Sequence, residues 1–273
     1  MTFVAAAVCP HPPLLVPEVG RGEPVAARAA AVEAVRRLVA SRPDRIVVVG
    51  DAPAAAVYGP DAAGTLAGFG VDLTVPLGPP SALEDAADPV TSPPSTAGSP
   101  STAGSPLLPL SLTVGAWLLA AAGWGGARAA LGVPAAYSPK QAADLGACVL
   151  ERTAPRERLG LLVMGDGSAR RTLKAPGGLD ERAAAFDAAA AAALAGPDPA
   201  GLLALDPTLA ADLLAAGRAS WQVLAGVLVA AAGPDQPSGA WTSDLLYDDA
   251  PYGVGYLVAV WASRDARGDR TAR

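Results

Sequence analysis

The sequence contains a single histidine, His11, among its 273 residues. One chain therefore cannot supply the two imidazoles of a site that holds a metal ion between two histidines and a carboxylate. Cysteine is also scarce, because Cys9 and Cys148 are the only two, and their separation fits neither a CxxC motif nor a zinc-ligand spacing. The first residues lack the basic start of a secretory signal peptide. We therefore expect a cytoplasmic protein with reduced thiols.

Charged residues are few as well. They make up 17% of the chain, and the net charge is −6. An acidic chain is repelled by the phosphates of nucleic acids and by anionic lipid headgroups, so neither nucleic acid nor a membrane surface is the expected partner. Apolar residues account for 51% of the sequence, which is enough to fill a large core.

One uncharged segment is long enough to cross a bilayer. It runs from Leu107 to Ala127 and contains no Asp, Glu, Lys or Arg. Its apolar residues include many Ala and Gly, which drive membrane insertion much less than Leu, Ile, Phe or Val. We therefore predict a buried helix of a soluble domain rather than a membrane span.

Short apolar runs alternate along the chain with segments of helical spacing. This alternation predicts an α/β fold, with a mostly parallel or mixed central sheet and helices on both faces. The predicted strands are 3–9, 45–49, 71–75, 127–133, 159–164 and 253–261, and the predicted helices are 25–41, 110–122, 139–153, 180–194, 206–216 and 220–232.

The composition changes abruptly between Ser81 and Pro106. The sequence STAGSP occurs at 95–100 and again at 101–106. A stretch of Pro, Ser, Gly and Ala has too little apolar bulk to offset the entropy lost on ordering. We predict a disordered insert at about 81–106, and the alternative is a peptide that docks on a partner.

Polar residues follow three of the predicted strands. His11 comes after the first strand, Asp51 after the second, and Asp166 follows the strand that ends at Met164. Ligands of open α/β sheets bind outside the carboxyl ends of the strands, so these side chains are expected to share one cleft. The alternative is that both aspartates are ordinary turn or helix-capping residues.

A resemblance to a known family rests on several motifs. Residues 8–20, VCPHPPLLVPEVG, resemble the N-terminal signature of the class III extradiol dioxygenase B subunits and the Memo-like proteins. The segments GDGSARR at 165–171 and PYGVGY at 251–256 are similar to the same superfamily. The resemblance implies one domain over residues 1–273 and an Fe(II) site to which His11 contributes a ligand. It also makes Ser168 and Tyr252 candidates for the cleft.

The sequence departs from the family where the chemistry depends on histidine. Asp51 stands where the family has its second iron-binding histidine, and Ala169 stands at the catalytic histidine. The carboxylate ligand has no unambiguous match, and the nearest acids are Asp244, Asp248 and Asp249. The iron ligand set is incomplete, so we expect no bound cofactor. One imidazole with carboxylates is a harder ligand set that suits Mg²⁺ or Mn²⁺.

Three hypotheses follow. The chain is a divergent family member that has lost ring cleavage but keeps a cleft for a small molecule or a partner, such as a second subunit or another copy. Alternatively, it is an enzyme with a carboxylate-rich metal site made of His11, Asp51 and Asp166. Ring cleavage itself would need Tyr252 or Asp166 to move the proton, because Ala169 cannot. The third hypothesis is a non-catalytic interaction protein.

Overall fold

The computed structural model describes residues 2–78, 107–232 and 240–264. The insert predicted at about 81–106 lies outside the described residues. Nine strands and seven α-helices are formed by the described part of the chain. The strands are β1 (Thr2–Cys9), β2 (Arg45–Asp51), β3 (Ala56–Tyr58), β4 (Ala63–Thr65), β5 (Thr74–Pro76), β6 (Ala127–Val133), β7 (Arg158–Met164), β8 (Trp241–Asp249) and β9 (Tyr256–Ser263). The helices are α1 (Ala26–Ala40), α2 (Leu110–Ala121), α3 (Pro139–Glu151), α4 (Ala183–Ala195), α5 (Ala200–Leu203), α6 (Pro207–Asp212) and α7 (Arg218–Ala232).

A seven-stranded mixed sheet organises the protein, with the order β3-β6-β2-β7-β1-β9-β8. Strands β6, β2, β7 and β1 are parallel to one another. The outer strands β3, β9 and β8 each run antiparallel to their inner neighbour. Strands β4 and β5 form a separate two-stranded sheet.

The central strands are buried on both faces because their side chains alternate between two cores. In β1, Phe3, Ala6 and Val8 belong to one core, while Ala7 and Cys9 belong to the other. Helices α3, α4 and α7 contribute to the first core, and α1 and α2 to the second. Helices therefore cover both faces of the sheet, which explains why the inner strands are almost continuously apolar.

Two glycines allow helices α3 and α7 to pack closely. A Cβ atom on Gly146 would lie 2.1 Å from the carbonyl oxygen of Val223, and one on Gly226 would lie 2.1 Å from that of Ala143. Any larger residue at either position would push the two helices apart.

The uncharged segment 107–127 is divided between two elements. It contains the 12-residue helix α2, most of whose residues are buried, and it ends where strand β6 begins. Among the described residues, none of the helices is long and apolar enough to cross a membrane.

The α/β class with a mixed sheet and helices on both faces is confirmed. The differences are strands that were missed and elements that are shorter than predicted. Strand β8 was not predicted, because its sequence TSDLLYDD after Trp241 has no strict alternation. The predicted strand at 71–75 is only Thr74–Pro76, and the predicted helix at 206–216 is only Pro207–Asp212, with Asp206 as its N-cap.

Candidate functional site

The carboxyl ends of three adjacent parallel strands define the site. Strands β2, β7 and β1 are neighbours in the sheet, and Cys9 at the end of β1 is level with Met164 at the end of β7. His11 and Asp166 each follow two residues later, while Asp51 is the last residue of β2. The sheet therefore brings the polar groups of three distant sequence segments to one edge, as their positions at strand ends predict.

His11 and Asp166 are in direct contact. The backbone N–H of His11 donates a hydrogen bond of 2.8 Å to Oδ1 of Asp166, and the imidazole Nδ1 lies 3.8 Å from the same oxygen. His11 is 9% exposed, and its buried Nδ1 has no hydrogen-bond partner among the described residues. Since Nδ1 is enclosed, Nε2 is the nitrogen through which His11 can reach a ligand. Asp166 thus has a structural role, because its carboxylate fixes the turn that presents His11.

Asp51 lines the same pocket as His11. Its backbone carbonyl accepts a hydrogen bond of 2.6 Å from the hydroxyl of Ser111 on α2. Burial raises the pKa of the Asp51 carboxyl, and the charge of His11 lowers it in part. Burial likewise raises the pKa of Asp166, although the charge of His11 and the hydrogen bond from its backbone N–H lower it in part. Two partly desolvated carboxyl groups are therefore influenced by the charge of one imidazole.

A pocket of about 780 Å³ opens beside His11 and Asp51. Its walls come from residues 52–53, Tyr58, 107–111 and 134–136, which are mainly Ala, Leu and Pro. The polar groups are thus gathered at one point of a largely apolar surface, as in many small-molecule sites. Neither Lys nor Arg is among the described residues that line it.

Ser168 lies outside this pocket. It is fully buried, its hydroxyl donates a hydrogen bond of 3.0 Å to the carbonyl of Leu213, and its N–H donates one of 2.7 Å to Asp187. Asp187 is 1% exposed and forms an ion pair of 2.8 Å with Arg171. Ser168 is therefore a structural residue of the loop after β7, since its hydroxyl is not accessible to a ligand.

Tyr252 lines a different pocket, of about 620 Å³, together with residues 172–174. It is 47% exposed and lies beside Tyr256, with 6.4 Å between the ring centroids. Tyr256 is the aromatic residue nearer to the site. It is 3% exposed, and its pKa is raised by burial and by the charge of Asp166. The sequence motif contained Tyr256, but the antiparallel direction of β9, which brings its first residue to this edge, was not predicted.

The residues present do not fit the iron centre that the resemblance implies. That centre requires two imidazoles, and His11 is the only one in the sequence. Asp244, Asp248 and Asp249 lie on β8, which is separated from β1 by β9. Across the described ranges, no three His, Cys, Asp or Glu side chains are grouped so that they could hold a metal ion. The structure brings His11, Asp51 and Asp166 to one edge without arranging them as a three-ligand set.

Comparisons with known proteins inform the fold alone. No protein-family model matches this chain. No curated protein matches it either. A solved structure, that of the uncharacterized protein JW3007 from Escherichia coli K12, matches with a TM-score of 0.50 and 19% sequence identity. The match covers 95% of this chain and 100% of the E. coli chain. At this identity the similarity establishes a shared architecture and carries no information on activity.

Proposed function

We propose that this chain is a divergent class III extradiol dioxygenase B-subunit-like protein that does not cleave aromatic rings with iron. In this proposal it uses the pocket beside His11 to bind a small molecule. The resemblance at residues 8–20 supports the family, and the pocket volume of about 780 Å³ supports the kind of ligand, since small-molecule pockets commonly measure about 300–1,000 Å³.

One observation supports the proposed loss of ring cleavage. The edge that would hold iron presents His11 together with Asp51, and a second imidazole is absent from the whole sequence. Ring cleavage also requires a group that moves a proton near neutral pH, which is a role that histidine fills. Ala169 stands at that position, and its side chain has no ionisable group.

Oxygen uptake tests this proposal. The purified protein is supplied with Fe(II) under reducing conditions and with protocatechuate, and O₂ consumption is followed with an electrode while ring-opened product is followed by absorbance. We expect no uptake beyond that of His11→Ala, which lacks the imidazole altogether. Turnover by the wild-type protein that is lost in His11→Ala would refute the proposal.

A metal-dependent enzyme is the second candidate. It is favoured by the two carboxyl groups at the same strand edge as His11, because an imidazole with carboxylates is a ligand set for Mg²⁺ or Mn²⁺. Elemental analysis after purification without chelators tests it. Stoichiometric Mg, Mn or Zn that is lost in His11→Ala but kept in Asp72→Asn, an exposed position outside the pocket, would favour this candidate over the first.

We also propose a cytoplasmic location. Both cysteines are free thiols, and Cys148 is exposed. An exposed thiol is typical of proteins from reducing compartments.

A further inference from the structure

The charges around the pocket point to the chemical class of its ligand. Asp51 lines the pocket directly, and Asp166 lies behind His11. The carboxylate of Asp51 accepts no hydrogen bond from any described residue, and among the described residues that line the pocket there is no Lys or Arg. An anionic ligand would meet the Asp51 carboxylate with no Lys or Arg beside it, whereas a cationic ligand would bring the opposite charge to this carboxylate.

His11 provides an independent observation. It is nine-tenths buried, it lines the pocket, and its Nδ1 is a buried polar atom without a hydrogen bond in the described part of the chain. Nδ1 is enclosed beside Asp166, which leaves Nε2 as the ring nitrogen available to a ligand in the pocket. A neutral imidazole offers Nε2 as a hydrogen-bond acceptor on the pocket side.

The remaining walls define the rest of the ligand. Ala, Leu and Pro residues from 52–53, 107–110 and 134–136 form an apolar surface, and Tyr58 adds an aromatic ring. A hydrated divalent cation would gain nothing from these walls. A hydrocarbon or aromatic body would bury apolar area against them, and a cation near Tyr58 would be attracted to the ring face.

We propose that the pocket binds a protonated amine carried on an apolar or aromatic body. Its ammonium group donates hydrogen bonds to the carboxylate of Asp51 and to Nε2 of His11, and its body lies against the apolar walls. This inference rests on the proposed function, because it names the ligand class for the same pocket.

The single histidine makes the test direct. In protein labelled with ¹³C and ¹⁵N at histidine, every imidazole signal comes from His11. The protein is titrated separately with benzylamine and phenethylamine. The controls are titrations with benzyl alcohol, which is neutral, and with benzoate, which is an anion. We expect the amines to shift the His11 signals saturably and the benzoate to leave them unchanged.

Two charge-matched variants locate the binding. Asp51→Asn keeps the shape of the side chain and removes its charge, so amine affinity should fall by about tenfold or more. Asp72→Asn removes the same charge from an exposed position outside the pocket, and its affinity should stay within about twofold of wild type.

Several outcomes would overturn the inference. They are binding of benzoate in preference to the amines, no saturable shift with either amine, and amine affinity that is unchanged in Asp51→Asn. Stoichiometric binding of Mg²⁺ or Mn²⁺ alone, lost in Asp51→Asn, would overturn it in favour of a metal site. These failures are distinct from failure of the proposed function, which is decided by O₂ consumption whatever the ligand's charge.

Discussion

We expect the buried side chain of Arg218 to hold the backbone at the rim of the pocket beside His11. This residue begins α7 and is 2% exposed. Its guanidinium donates hydrogen bonds to the carbonyls of Ala135 and Tyr137, at the rim, and one of 2.8 Å to the side-chain oxygen of Gln222. Arg218→Met keeps the aliphatic stem of the side chain and removes every donor, so three acceptors lose their partner at once.

The size of the expected loss of stability follows from the backbone carbonyls, which stay buried when their donor is removed. A hydrogen bond to a charged group contributes about 1.5–3 kcal/mol. Burial lowers the pKa of Arg218, which shows that its charge is poorly hydrated, and methionine recovers that cost. The backbone carbonyls stay in place without a donor, so the loss dominates. We expect the free energy of unfolding to fall by about 3–5 kcal/mol.

Urea unfolding followed by tryptophan fluorescence measures this loss. Arg158→Met is the matched control, because Arg158 also donates to two backbone carbonyls, those of Arg42 at 2.8 Å and Ser41 at 2.7 Å, near the surface. Water can replace those bonds, so this variant should lose only about 1 kcal/mol. Equal losses in the two variants would refute the argument that burial of the acceptors decides the effect.

Three further predictions concern packing, reactivity and pH. Gly146→Ala should reduce the free energy of unfolding by about 1–2 kcal/mol in urea unfolding, because overpacking against α7 exceeds the gain in helix propensity of about 1 kcal/mol. Gly125→Ala, with nothing within 4 Å of the added Cβ, is its control, and stabilisation at 146 would contradict the packing. Of the two thiols, only that of Cys148 should react with a thiol reagent in the native protein, since Cys9 is buried and burial raises its pKa; two native equivalents would contradict this. Burial also raises the pKa of the Asp187 carboxyl by more than its contacts with the Ser168 N–H and with Arg171 lower it. The protonated carboxyl therefore stabilises the native protein below the ordinary pKa of aspartate, and this stabilisation is lost as the pH rises. Asp187→Asn should therefore become more stable relative to wild type as the pH rises above about 4 in urea unfolding, and the opposite slope would show that the ion pair dominates.

The sequence predicted the elements whose pattern is locally complete. The runs 3–9, 45–49, 127–133 and 159–164 are buried on both faces, so their apolar character is nearly unbroken and their strand type is evident. Strand β8 is an edge strand with mixed burial, and its polar and apolar residues carry no clear period. Its pairing with β9 depends on the tertiary structure, which a single-sequence pattern does not contain.

The residues of the candidate site also divide into those whose position the sequence predicts and those whose position it does not. His11, Asp51 and Asp166 reach one edge because parallel neighbouring strands end there, and strand ends can be read from the sequence. Ser168 is two residues beyond Asp166, yet its hydroxyl turns to the carbonyl of Leu213. That orientation depends on the packing of the loop after β7 against residues distant in sequence, which the motif at 165–171 does not contain.

The edge is held together by contacts that need no metal. The His11 N–H bonds to Asp166, the Ser111 hydroxyl bonds to the Asp51 carbonyl, and the strands behind them are fixed by two apolar cores. The side chains at positions 51 and 169 can therefore differ in chemistry without disturbing the strands. A change of ligand chemistry at this edge requires no change of fold, because the fold positions the residues and their side chains alone decide what they bind.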